Sequence, residues 1–221
     1  SLEGWWGFAM VRGKGNVVLM TGGYDHTIRF WEVHSGMCCK TIQYPDSHIN
    51  LLRVSPDKKW LAVAGNSHTR LFKMDLNVSS QPQLFEGHVG NVVALTFDHN
   101  PETQSMWTCG EDQTIKMWDL RAQPFVKDFK CRHAVNTVAL HPKQPLLLSG
   151  DSGGSVRLWD LRMGRCMREL LPQGDSAIRW ISFAPNGRLV AAVNTAGNCF
   201  VWSTGGDTEA ARSSPDPAAA A

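Results

Sequence analysis

His88-Val89-Gly90-Asn91-Val92-Val93-Ala94-Leu95-Thr96-Phe97, then Met106-Trp107-Thr108-Cys109-Gly110-Glu111-Asp112-Gln113, then Thr114-Ile115-Lys116-Met117-Trp118-Asp119-Leu120-Arg121: this stretch decides how the chain folds. Val92 to Phe97 is an apolar run the length of one buried strand. Asp98-His99-Asn100-Pro101 turns the chain, because Asp and Asn bond their own backbone and Pro fixes φ. Met106 to Cys109 is a second strand, Gly110-Glu111-Asp112-Gln113 a tight turn, and Thr114 to Trp118 a third strand. A fourth falls near Phe125–Phe129. Short strands divided by turn signals at this spacing read as antiparallel β-structure.

The ending of that stretch recurs. Ile28-Arg29-Phe30-Trp31, Arg70-Leu71-Phe72, Ile115-Lys116-Met117-Trp118, Val156-Arg157-Leu158-Trp159 and Cys199-Phe200-Val201-Trp202 close their runs 41, 46, 41 and 43 residues apart, with Phe72 in the place of tryptophan. A period of about 40–45 residues with this ending is the signature of WD repeats, four strands per blade. The expected fold is therefore all-β: a WD40-type β-propeller with about five blades present. Unit two gives Ile49–Val54, Trp60–Ala64 and Thr69–Phe72; unit four gives Val135–Leu140, Leu146–Ser149 and Ser155–Trp159; unit five gives Ile178–Phe183, Leu189–Val193 and Asn198–Trp202. Unit one shows Val17–Thr21 and Thr27–Trp31. Its inner strand comes either from Trp6–Val11, after a turn at Arg12-Gly13-Lys14-Gly15-Asn16, or from residues outside this chain. The organisation expected is an N-terminal segment over 1–16, five repeats over 17–202, and a linker over 203–221 whose Ser, Pro and Ala composition predicts disorder.

Composition narrows the function. Net charge is +2 from 22 basic and 20 acidic residues, scattered rather than clustered, so no basic face for nucleic acid is expected. No apolar run reaches the length that spans a membrane. The six cysteines, Cys38, Cys39, Cys109, Cys131, Cys166 and Cys199, form no Cys-x-x-Cys pair. Reduced thiols in a cytoplasmic or nuclear setting are expected, with no metal and no cofactor.

His88, Thr108, Asp112 and Trp118 form the strongest polar constellation. Each is a donor or acceptor that needs a partner when buried, and one chain through all four satisfies them. Histidine beside aspartate is also the grammar of a catalytic triad, but no nucleophile elbow accompanies it and the set recurs in degraded form. Unit one keeps Thr21, Asp25 and Trp31. Unit four keeps His133 and Trp159 with Gly153 in the aspartate place, and unit five keeps Trp202 with Ala196 in the turn. A structural role and no catalytic residue is the expectation. Gly150-Asp151-Ser152-Gly153-Gly154 leads into a strand and lacks the Lys-Ser/Thr ending of a phosphate loop.

Two faces are candidates for a partner. On one, Trp118-Asp119-Leu120-Arg121 and Trp159-Asp160-Leu161-Arg162 leave the third strands toward the wide bottom of the propeller. Paired Trp-Asp-x-Arg boxes resemble those of WD proteins that dock on the adaptor of cullin-four ubiquitin ligases, which would make the chain a substrate receptor using Arg121 and Arg162. On the other, alternation along the inner strands sets His48 and Asn50 beside the narrow opening, with Asn91, Asn136 and Arg179 at corresponding positions and Tyr24 and Glu111 on the turns.

A more specific resemblance runs from Val17 to Trp202. Gly23-Tyr24-Asp25-His26-Thr27-Ile28-Arg29-Phe30-Trp31, then His34-Ser35-Gly36, resembles the first repeat of the G-protein-β-like subunit of target-of-rapamycin (TOR) kinase complexes, the family called Lethal with Sec Thirteen, eight. Ala64-Gly65 ahead of a repeat without tryptophan, Gly110-Glu111-Asp112 with Trp118-Asp119-Leu120-Arg121, and Ala191-Ala192-Val193-Asn194 with Gly197-Asn198-Cys199 are similar too. The resemblance implies a seven-bladed propeller, two blades more than this chain carries. It also implies a non-catalytic scaffold whose partners are the TOR kinase domain and other TOR complex subunits. The face bearing His48 and Asn50 would then meet the kinase.

Overall fold

The computed structural model describes residues 5–12, 17–44, 47–74, 81–100, 103–172 and 175–204, the side chains of 5–8, 11, 12 and 122–125 excepted. The turn expected at 13–16, Asp46, Pro101 and the tail from Gly205 lie outside the described residues.

Eighteen strands form among them, all paired antiparallel. Blade one is β1 (Trp5–Arg12), β2 (Val17–Gly23), β3 (Thr27–Glu32) and β4 (Cys38–Gln43), in that order across the sheet. Blade two is β5 (Leu51–Val54), β6 (Trp60–Ala64), β7 (Asn66–Lys73) and the start of β8 (Gln83–Phe97). Blade three is the end of β8 with β9 (Ser105–Gly110), β10 (Thr114–Asp119) and β11 (Ala122–Lys130). Blade four is β12 (Val135–Leu140), β13 (Leu146–Asp151), β14 (Val156–Asp160) and β15 (Arg165–Leu170). Blade five is β16 (Ile178–Phe183), β17 (Leu189–Asn194) and β18 (Cys199–Ser203). The chain is a WD40 β-propeller arc.

Two connections define how the blades join. β1 pairs with β2, Phe8 opposite Thr21 and Val11 opposite Val18, and lies beside β5, so Trp5–Arg12 takes the innermost place in blade one. The inner strand expected over Val92–Phe97 is the end of the single 15-residue strand β8, which begins at Gln83. One end of β8 pairs with β7 (Thr69 opposite Phe85) and the other with β9 (Leu95 opposite Thr108), so blades two and three share one seven-stranded sheet. The segment between stays extended because the β6–β7 hairpin holds it: the Val92 amide donates to the Gly65 carbonyl (3.0 Å) and Asn66 pairs with Asn91.

The core is divided among the interfaces. A single sheet cannot bury both faces, so each blade uses its neighbour. Met20, Ile28, Phe30, Ile49, Leu52 and Leu61 fill the interface of blades one and two. Phe85, Leu95, Met106 and Trp118 fill the next, Trp107, Phe129, Val138 and Trp159 the third, and Leu148, Ile178, Ile181 and Val190 the fourth. Trp118 and Trp159 are buried, at 1% and 6% exposure. Trp202 is only half-buried, against the expectation that it would be covered like the others. No sixth sheet stands against blade five among the described residues, and β18 is exposed at alternate positions.

Candidate functional site

The buried constellation of blade three is assembled from three strands. β8 supplies His88, β9 Thr108 and β10 Trp118, while the β9–β10 turn supplies Asp112. The Trp118 indole N–H donates to Thr108 Oγ1 (2.7 Å), the Thr108 hydroxyl to His88 Nε2 (2.7 Å), and His88 Nδ1–H to Asp112 Oδ2 (2.8 Å). Asp112 also accepts from the Val89 amide at 3.1 Å and from the Thr114 amide and hydroxyl at 3.2 and 2.9 Å, which fixes the turn. Burial lowers the His88 pKa against the pull of Asp112, so the ring is neutral, as this direction of donation requires. Burial alone would raise the Asp112 carboxyl, but His88 and the Val89 amide outweigh it and hold it below the usual carboxylate range.

The Asp–His–hydroxyl geometry is that of a triad, yet its chemistry is closed. Thr108 is fully buried, and one lone pair of its oxygen is occupied by the Trp118 N–H. The bonds through the four residues tie three strands and a turn together as a cross-strand clasp. Blades one and four keep the tryptophan–hydroxyl part of the clasp. Trp31 donates to Thr21 Oγ1 (2.7 Å) and Trp159 to Ser149 Oγ (2.8 Å).

The narrow-opening residues divide into two groups. Tyr24 on the β2–β3 turn and His48 ahead of β5 are exposed and touch edge to face at 4.6 Å, with His26 at 4.9 Å from His48. Glu111 and Arg179 are exposed, and half-buried Asn91 donates to Glu111 Oε2 (3.1 Å). Asn50 and Asn136 have a different task. Asn50 Nδ2 donates to the Val92 carbonyl (3.0 Å) and Asn136 Nδ2 to the Ile178 carbonyl (2.9 Å), each on the innermost strand region of the next blade. Both amides are committed to joining blades.

On the wide face, Arg121 folds back on its own turn. Its Nε and Nη2 donate to Asp119 at 3.1 and 3.3 Å, and its amide donates to Asp119 Oδ1 at 2.9 Å. The Arg162 amide donates to Asp160 Oδ1 (2.8 Å), and its side chain is exposed. Among the described residues no cluster of three His, Cys, Asp or Glu has metal-ligand geometry, and no helix is long and apolar enough to cross a membrane.

Comparison with known proteins places this geometry. The family model described as "WD domain, G-beta repeat" matches residues 79–119 and 125–160. The chain is 46% identical over 85% of its length to target of rapamycin complex subunit wat1 of Schizosaccharomyces pombe, covering 59% of that protein. It is 41% identical over 90% of its length to target of rapamycin complex subunit LST8 of Saccharomyces cerevisiae (65% covered), and 38% over 88% to LST8 of Mus musculus (60% covered). The chain belongs to the LST8 family of WD-repeat proteins. It spans about three fifths of the length of the curated LST8 relatives it matches.

Sequence reasoning passed over two features of this LST8-family chain. Ser149 is the hydroxyl partner of Trp159, findable because it stands ten residues before the tryptophan, as Thr21 and Thr108 do. The second is an ion network in blade four. Where blade three has its histidine clasp, buried Arg157 is paired with Asp151 and also donates to Glu169 Oε1 (2.7 Å). Gly153 leaves room for His133, whose ring would meet any added Cβ.

Proposed function

We propose that this chain is a non-catalytic scaffold subunit of cytoplasmic TOR kinase complexes, and that its narrow-opening face binds and stabilises the kinase domain. The observation that carries this reading is the likeness, over 85–90% of the chain, to proteins named as target-of-rapamycin complex subunits. The geometry supports the choice of face. Tyr24 and His48 present an exposed aromatic pair, and Asn91 and Glu111 of blade three and Arg179 of blade five add polar groups at corresponding positions, the mixture of aromatic anchor and polar surround that recognition uses. Arg121 of the opposite face is spent on Asp119, which weakens the ligase-receptor alternative.

Tyr24 and His48 are the positions to test, because alanine at Asn50 would also remove an inter-blade bond. Capture of a TOR kinase-domain fragment by Tyr24→Ala/His48→Ala is expected to fall at least tenfold with the circular dichroism spectrum unchanged. Arg121→Ala is expected to capture normally. Undiminished capture by the double variant would sink the face assignment. Failure of the unaltered chain to capture the fragment would sink the scaffold reading.

A further inference from the structure

The innermost strands of blades two to five surround a cavity of about 380 Å³ at the hub of the arc. Its walls are apolar apart from a few groups. Arg53 of β5 projects into it, and its guanidinium carbon lies 5.4 Å from the centroid of the Trp180 ring on β16. These two residues belong to blades two and five, so the contact spans the hub.

Arg53 differs from buried and half-buried cations of the third strands. Arg29 is paired with Asp25 (2.7 Å), Lys116 with Asp128 (3.2 Å), and Arg157 with Asp151 and Glu169. Among the described residues no carboxylate lines the cavity around Arg53. Burial works against its charge, yet a guanidinium stays protonated. A half-buried cation resting only on an aromatic face is under-compensated. The ring also orients it, leaving the N–H edge free for bidentate contact with a planar anion. Thr96 and Ser182 on the same wall hold only long bonds, 3.4 and 3.3 Å, to the carbonyls of Phe97 and Phe183, so each hydroxyl can turn to an incoming oxygen.

We propose that this hub cavity receives the carboxylate of an aspartate or glutamate side chain on a loop of a partner protein, with Arg53 as its ligand. Charge selects the class. One guanidinium in apolar walls balances one carboxylate, whereas a phosphate dianion would keep an uncompensated charge there. The cavity is large enough to admit the side chain with part of the loop that carries it. The inference is independent of the TOR-complex reading, since its test contains no kinase.

The test is a titration of the full chain, labelled with nitrogen-15, with N-acetyl-glutamate N-methylamide. The Trp180 indole signal is identified by its loss in Trp180→Phe. That signal is expected to shift saturably with the glutamate compound and at least tenfold more weakly with N-acetyl-glutamine N-methylamide. The response is expected to weaken at least tenfold in Arg53→Gln and to return in part in Arg53→Lys. An equal response to the glutamine compound overturns the proposal, as does an undiminished response in a folded Arg53→Gln. Should Arg53→Gln not fold, the glutamate–glutamine comparison on the unaltered chain decides alone. A response to acetate or inorganic phosphate tenfold tighter than to the glutamate compound overturns the assignment to a partner's side chain.

Discussion

His88 is held neutral by the direction of its hydrogen bonds. Trp118 can only donate, so Thr108 accepts from it and passes its own proton to His88 Nε2; His88 then donates from Nδ1 to Asp112. Protonating the ring would turn Nε2 into a donor and take from the Thr108 O–H the acceptor it uses. Because burial lowers the His88 pKa below 6.5, the unfolded chain binds the proton first. Stability is thus complete above about pH 6.5 and falls as the pH drops below it. His68, whose pKa burial also lowers, adds in the same direction. The urea midpoint is expected to decline between pH 7.5 and 5, and His88→Gln to show a shallower decline from a lower starting value. An equal slope in the variant would show that His88 does not carry the dependence.

At the scale of the hairpin, a tryptophan is matched by a hydroxyl in blades one, three and four. The second-strand residue two places beyond the tryptophan's cross-strand partner is Thr21 in blade one, Thr108 in blade three and Ser149 in blade four. In blade two, where Phe72 replaces tryptophan, that place holds Val63; in blade five, where Trp202 is half-buried, it holds Ala192. A buried indole N–H requires an acceptor, and an aromatic without N–H requires none. Ser149→Ala is therefore expected to cost about 1–3 kcal/mol by leaving the Trp159 N–H unpaired. Ser149→Ala/Trp159→Phe should cost less than the sum of the single changes, with a coupling of at least about 0.5 kcal/mol in urea unfolding. Strict additivity would refute the pairing as an energetic unit.

At the scale of the molecule, stability resides between blades. Gly150 shows how close they come: a Cβ there would lie 2.4 Å from Ile178 Cγ2 of the next blade. Asn50 and Asn136 tie successive blades by the same bond, each reaching a carbonyl 42 residues on. A fully buried tryptophan is thus worth more than half-buried Trp202, which packs on the core between blades four and five from the edge strand of a three-stranded sheet. Trp118→Ala is expected to cost roughly 3–5 kcal/mol, the range for a buried aromatic, and Trp202→Ala distinctly less. Equal losses in thermal midpoint would contradict this division of the core.

By itself the sequence determined the repeat, the strands and the clasp. Each unit carries its own apolar alternation, its turn residues and its closing aromatic within about 40 residues, so local periodicity is enough to read them. His88, Thr108, Asp112 and Trp118 were legible for the same reason. Only the tertiary structure decided what depends on neighbours in space. Alternation set Asn50 on the narrow opening beside His48, but not that its amide is taken up by Val92 of the next blade. It read the inner strand of blade three as Val92–Phe97, whereas hydrogen bonds from the β6–β7 hairpin join it to the residues from Gln83 in one strand. It gave Trp202 the rank of Trp118, although Trp202 packs against the blade four–five core from the edge strand of a three-stranded sheet and stays half-exposed. Arg53 and Trp180 meet across the hub only because four blades have closed around it. Strand pattern is encoded along the chain; exposure and partnership arise when distant strands are brought within a few ångströms.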